Sequence, residues 1–304
     1  MESLLQFTLN ALMLGSMYSL MAVGFTLFFG VLDVIQFAHS EIFMVGIFSA
    51  LASIDILEYL GINNIFFLLI GAIVCSCIFT TFISIIFGRV TIKPLKFSPS
   101  ILTLVATLAG GVVLRYMVML FFPHGTEAHF FPTLLPKGRI NFGRIDIEIS
   151  VLLIFFLSIF LIVFLKKFLD KTKIGMQMRA VAQDKETASL MGVNVDTITD
   201  ITFLIAGILA AIGGVLYGSY YNFVQYNIGE FYGPIGFAAA VIGGLGNIYG
   251  SILGGYLFAI IVTFSAAYLP GGVAFKFPIG FVALIIFLTI KPSGILGTDR
   301  GIKI

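Results

Sequence analysis

Tryptophan is absent from the 304 residues, and only 11% of them are charged against 59% hydrophobic. A soluble domain carries roughly 25% charged residues, so this composition excludes a soluble globular chain and leaves an integral membrane protein. No long polar region is present to form a separate soluble domain, which predicts one membrane domain over residues 1–304. Cysteine is nearly absent too. Cys75 and Cys77 lie two apart in an apolar run; on a helix they point to different faces and do not bridge, which predicts packing residues. A net charge of +2 is too small to imply nucleic acid. Residues 1–6 carry no basic stretch of the kind that opens a cleavable signal peptide, so the first apolar run is expected to remain as an anchor.

The chemical motifs of enzymes are missing as well. There is no Gly-x-x-x-x-Gly-Lys-Ser/Thr loop to cradle ATP phosphates, no Gly-x-Ser-x-Gly and no His-Glu-x-x-His, so the chain is expected to bind no cofactor of its own. His39, His124 and His129 lack metal-ligand spacing, and His124 and His129 with Glu127 in one loop are weak grounds for zinc. His39 and Glu41 diverge on a helix and do not form a catalytic pair.

What is there is long apolar runs. A spanning helix needs about 20 mostly apolar residues, and candidates cover 4–29, 42–57, 65–87, 101–122, 150–165, 200–222, 251–269 and 277–290. A ninth run, 235–242, is too short to cross comfortably and ends in Gly243-Gly244-Leu245-Gly246-Asn247, which no straight helix favours. The fold class is an all-α integral membrane protein: a polytopic bundle of eight or nine transmembrane helices with broken or re-entrant segments. Basic residues near spans mark the cytoplasmic side. Arg89, Lys93 and Lys96 therefore put the 88–99 loop inside, and Lys291, Arg300 and Lys303 put the C-terminus inside. The 123–148 loop and the N-terminus then lie outside, although Lys137, Arg139 and Arg144 weaken the contrast. Without tryptophan, Phe and Tyr supply the interfacial belt, and Tyr217, Tyr220, Tyr221, Tyr226 and Tyr232 are read as outer-surface anchors. Ala210, Gly214 and Gly218, then Gly246, Gly250 and Gly254, recur every four residues on one face. That spacing predicts close helix packing, within the chain or against another subunit.

The longest polar segment, 166–199, is a basic loop holding Lys166, Lys167, Lys171, Lys173, Arg179 and Lys185, and is expected in the cytoplasm. Within it, 176–191 has helix-forming composition and Gly192 offers a stop. Such a helix is a handle for another protein or an ordinary solvated loop helix. Two segments break the pattern of spans. In 31–46, Asp33, Gln36, His39, Ser40 and Glu41 fall between apolar runs with no clear exit loop; 235–255 carries the glycine interruptions and Asn247. Interrupted segments mark transport pathways because unwound backbone faces the solute. Asp33 and Glu41 read better as a tight cytoplasmic turn meeting water, Gln36 and His39 as groups at depth. Arg115, near the outer end of the fourth span, is expected to snorkel to the interface, with a pathway role as the alternative.

Leu14-Gly15-Ser16-Met17-Tyr18-Ser19-Leu20, Gly24 and Gly30, and Ile35-Gln36-Phe37-Ala38-His39-Ser40-Glu41 resemble the LivH-type permeases of branched-chain amino acid ABC importers. That family usually reads Asn-Phe-Ala-His-Gly-Glu at the second stretch, so Gln36 and Ser40 depart from it. The resemblance continues through Gly175, Arg179-Ala180-Val181-Ala182, Asp184, Ala188 and Gly192-Val193, through Gly243-Gly244-Leu245-Gly246 and Gly250, and into Pro292-Ser293-Gly294-Ile295-Leu296-Gly297. It implies a permease subunit paired with a related LivM-like chain, in a bacterial or archaeal cytoplasmic membrane. Two ABC ATPase subunits binding ATP would drive alternating access, and an external substrate-binding protein would deliver a branched-chain amino acid. Met178, Arg179, Ala180, Ala182, Asp184 and Ala188 would then contact the ATPase, and Gln36, His39 and Asn247 would line the pathway. Beyond membrane lipid, no other partner is implied. The alternative is a self-contained secondary transporter or channel for a small polar solute such as urea or a short amide, which predicts buried ionisable relays inside the spans.

Overall fold

The structure is a computed structural model, and it describes residues 2–95, 98, 100–136, 138–142 and 145–297. Lys96, Lys137, Arg144, Arg300 and Lys303, which entered the topology expectation, lie outside the described residues. In chain order the elements are α1 (Glu2–Leu32), α2 (His39–Tyr59) and α3 (Ile65–Phe87), the last prolonged by a π-helical turn Gly88–Ile92 and a 3-10 turn Lys93–Leu95. There follow α4 (Ser100–Phe121), β1 (His129–Phe130), β2 (Arg139–Phe142), β3 (Ile145–Glu148), α5 (Ile149–Lys171), α6 (Lys173–Gln183) and α7 (Lys185–Leu190). The chain continues with α8 (Val195–Tyr221), β4 (Phe223–Val224), α9 (Ile228–Gly243), α10 (Ile248–Tyr268) and α11 (Gly272–Ile290).

Eight described helices are long and apolar enough to cross a membrane, and α9 is the short ninth. The apolar runs located every span, but polar residues extend several of them: α5 continues to Lys171 and α8 begins at Val195, before Asp200. Side-chain caps set the starts of α3 and α8, among others. Asn64 accepts the Phe66 amide at the head of α3, Asn194 the Thr197 amide at the head of α8, each satisfying an amide the helix itself leaves unpaired. Cys75 is exposed on α3, so it faces outward instead of packing.

Two compact units divide the chain. Unit one holds residues 1–26, 137–163 and 234–304. Here α1 meets α10 through polar contacts: Ser16 Oγ lies 2.9 Å from Tyr256 Oη, Ser19 Oγ donates to the Ile252 carbonyl, and Thr26 bonds Ser251. In lipid, where no hydrophobic drive brings helices together, such short polar links add to close packing in holding them. Past α11 the chain returns to the end of α9. The Ile295 and Leu296 amides donate to the Ile242 and Gly243 carbonyls, pairing acceptors that a helix terminus leaves open. In the same unit β2 and β3 form an antiparallel hairpin.

Unit two holds residues 27–136 and 164–233. Its core is α2 against α3 and α8. Gly46 abuts Ala211, and Gly214 lies on Phe43 and Ile47. Ser76 Oγ donates to the Gly46 carbonyl at 2.7 Å and Ser84 Oγ to the Phe203 carbonyl at 2.9 Å. Short strands β1 and β4 pair antiparallel, and Asn222, in the left-handed region at φ 56°, closes α8 and donates to the Phe131 carbonyl and Thr133. The tyrosine cluster is a packed one. Tyr217 is buried, with its ring 5.9 Å from Phe43, 4.5 Å from Tyr221 and 4.8 Å from Tyr232, so the reading of Tyr217 as a surface anchor is corrected.

Candidate functional site

The site is built in unit two where α1 stops and α2 starts. α1 ends at Leu32, Asp33 takes a left-handed φ of 55°, and six residues later α2 begins at His39. Asp33 is exposed, as expected of a turn, but the chain then turns inward. Gln36 and His39 are fully buried. The Gln36 side-chain oxygen accepts the Ala38 amide at 3.0 Å, folding the backbone into the first turn of α2; its Nε2 has no hydrogen-bond partner among the described residues. The His39 ring meets the Phe28 ring edge-on at 5.6 Å.

Glu41 does not meet water, which corrects the turn reading for that residue. It is 3% exposed, and Arg115 of α4 donates to its Oε1 from Nε at 3.1 Å and from Nη2 at 2.5 Å. Arg115 does not snorkel either: its Nη1 donates to Glu230 Oε2 at 2.6 Å. The remaining Glu41 oxygen, Oε2, has no hydrogen-bond partner among the described residues. The depth of this cluster follows from α4. Gly111, packed on Ala38 and Glu41, lies about 16 Å along α4 from its start at Ser100, midway along a helix long and apolar enough to span. α9 starts there as well. Gly229 is so close to α2 that a Cβ would sit 2.5 Å from Glu41 Oε2 and 2.7 Å from the Ser40 carbonyl. Two helix N-termini thus begin beside one Glu–Arg–Glu cluster whose Glu41 end is buried, adding partial positive charge to it. An arginine inside a span needs a partner, and an acidic side chain is one of those it takes; that need was the available signal, and the pairing with Glu41 and Glu230 was missed.

Asn247 belongs to unit one and is engaged there. Its Oδ1 accepts the Gly250 amide, capping α10, and its Nδ2 donates to the Leu296 carbonyl at 2.8 Å. Gly250 and Gly254 lie against α9, where a Cβ on either would collide with the Gly243 or the Ala239 carbonyl. Gly218 faces the Phe131 ring. Gly246 differs: it is exposed, in the turn between α9 and α10 at φ 88°, so this glycine serves the turn and not a helix face, a correction to the packing expectation.

The polar loop is two helices instead of one. Asp184 breaks it, accepting the amides of Glu186 and Thr187 to cap α7. Thr172 caps α6 in the same way. Met178 and Ala188 turn inward, Ala180 and Ala182 are half-buried, and Arg179 and Asp184 are exposed. Arg179 reaches the Leu169 carbonyl at the end of α5. Lys185 reaches the Leu32 carbonyl, the last of α1; burial pulls its ammonium below the ordinary lysine range, with Asp33 opposing. At the tip, Met176, Leu190 and Met191 are exposed, the last two more than 80%, and none of them was singled out by composition. On the same side, Arg89 and Lys93 both pair with Asp200 at 2.9 Å. Among the described residues no group of three or more metal-ligating side chains occurs.

Eight described helices able to span, broken elements starting beside buried polar groups, and a bent polar handle define a multi-pass membrane transport protein. The chain matches the family model for the permease component of branched-chain amino acid transport systems over residues 7–289 and belongs to that family. It is 33% identical to the high-affinity branched-chain amino acid transport system permease protein BraD of Pseudomonas aeruginosa, with 99% of this chain and 98% of that protein aligned. It is 31% identical to the permease protein LivH of Escherichia coli, over 99% and 97%. A probable LivH of the archaeon Methanocaldococcus jannaschii is 26% identical over 95% and 91%.

Proposed function

We propose that this chain is the permease subunit of an ATP-driven importer for branched-chain amino acids, in the cytoplasmic membrane of a bacterium or archaeon. It forms the translocation pathway with a LivM-like partner permease, receives cargo from an external binding protein, and is driven by two ABC ATPases that bind the ATP. The observation that carries this reading is the end-to-end match to permeases so named. The bent pair α6–α7 supports it mechanically. Arg179, Ala180, Ala182 and Asp184, with the exposed Leu190 and Met191, form the ATPase-facing surface, while inward Met178 and Ala188 hold the bend. Lys185 on the Leu32 carbonyl links that bend to α1. Gln36 and His39 line the pathway; a lining with few charges suits cargo whose side chain is apolar.

A mild-detergent pull-down from native membrane tests the assembly: a second permease and an ABC ATPase are expected to co-purify. Ala182→Arg and Leu190→Glu are each expected to abolish ATP-coupled uptake while leaving membrane insertion intact, and normal uptake by both would remove the docking assignment. The buried Glu41–Arg115 pair is a feature that a self-contained secondary transporter would share. A chain that purifies alone and transports in liposomes without ATP would establish that reading instead.

A further inference from the structure

We infer that the Glu41–Arg115–Glu230 cluster is a binding site for the two charged ends of a zwitterionic α-amino acid. This inference rests on the transport reading above. Three observations carry it. The first is asymmetry. Arg115 is held on one side by a buried carboxylate, Glu41, and on the other by Glu230, whose side chain is 58% exposed. An exposed partner bound through one nitrogen is replaceable, because water and counter-ions already compete for it; a buried one bound through two nitrogens is not.

The second is the unpartnered oxygen. Glu41 Oε2 is buried with no hydrogen-bond partner among the described residues, and a carboxylate oxygen left so in low dielectric is costly unless a donor arrives. The third is the surrounding backbone. α2 and α9 begin here, and the Ser40 carbonyl and the Glu41 carboxylate both converge on Gly229, the second residue of α9. The absent side chain at Gly229 is what lets these acceptors and a helix start share one place.

The cargo's carboxylate takes the Arg115 Nη1 position from Glu230. Its ammonium donates to Glu41 Oε2 once the start of α9 draws back from α2, because Gly229 fills the space between Oε2 and the Ser40 carbonyl. The displaced Glu230 carboxylate, next to Gly229 in α9, is a second acceptor. A zwitterion leaves the net charge of the cluster unchanged, so its entry needs no proton and no co-ion. A solute with only one of the two charged ends either leaves Oε2 unpaired or leaves Arg115 with Glu230. The site therefore reads the α-amino acid end of the cargo and not its side chain.

The test is direct binding of radiolabelled leucine to the full chain with its co-purifying subunits in lipid nanodiscs, without the binding protein. Saturable binding is expected, with leucinamide and isocaproate each competing about 30-fold or more weakly than leucine. Arg115→Gln and Glu41→Gln are expected to weaken binding by a similar factor, and Glu230→Gln to keep or tighten it. Unsaturable leucine binding, or equal competition by leucinamide, overturns the site on the unaltered protein, whatever the variants do to folding. Loss of binding in Glu230→Gln as deep as in Arg115→Gln overturns the displacement step. ATP-driven leucine uptake by the complete transporter is measured in parallel. Uptake without binding at this cluster sinks the inference alone, whereas absence of ATP-driven uptake sinks the importer reading.

Discussion

At Gly229 a single methyl group decides whether α9 and α2 begin side by side. A Cβ there would lie 2.5 Å from Glu41 Oε2 and 2.7 Å from the Ser40 carbonyl. Neither neighbour has slack, because one is backbone at a helix start and the other a carboxylate pinned by Arg115. Gly229→Ala is expected to cost about 1–3 kcal/mol, as overpacking of a close contact does, read as a lower unfolding temperature in detergent. A change below about 0.5 kcal/mol, the size of an ordinary surface substitution, would mean that α9 does not start against α2. Residue chemistry explains what composition missed here. Arg115 was visible as a charge within an apolar run, but its partners are 74 and 115 positions away in sequence, and nothing local marks Glu41 as buried and Asp33, eight residues earlier, as exposed.

Elements were legible where an apolar run is long, because the cost of unpaired backbone in lipid makes such runs helical. They were less legible where polar chemistry sets the boundary. The stretch 176–191 has no proline and ample alanine, so composition favours one helix; the break comes from Asp184, whose side chain takes the amides that a continuous helix would bond internally. That break points α7 at the end of α1. Lys185 donates there to the final carbonyl of α1, where a cation is favoured by the helix dipole. Lys185→Met removes the link and keeps the apolar stem. The variant complex is expected to assemble and hydrolyse ATP, while uptake per ATP falls about tenfold, the effect of losing roughly 1.4 kcal/mol of coupling. Unchanged uptake per ATP would mean that α7 signals by another contact. The depth at which α2 and α9 begin was likewise hidden, since periodicity reports which face is apolar and never where a helix lies along the membrane normal.

On the scale of the whole chain, the question is what drives transport. Polar side chains along the described spans are mostly Ser and Thr bonded to nearby carbonyls, such as Ser76 on Gly46 and Ser84 on Phe203. These groups hold helices together and carry no ions. The cluster of Glu41, Arg115 and Glu230 stands apart from these, with both carboxylates paired to one guanidinium. A secondary transporter moves coupling ions through chains of ionisable groups at depth, and one local cluster is a poor relay. The polar end, by contrast, is elaborated: two capped helices, an exposed Leu190–Met191 tip and a lysine on α1. Energy is therefore expected to enter from a bound partner and not from an ion gradient. In proteoliposomes carrying the complete transporter and its binding protein, leucine uptake is expected to require internal ATP and to persist when a protonophore and a sodium ionophore collapse the gradients. Uptake that stops with the gradients and ignores ATP would assign the work to the Glu41–Arg115–Glu230 cluster as an ion relay, and leave the α6–α7 pair as an ordinary solvated loop.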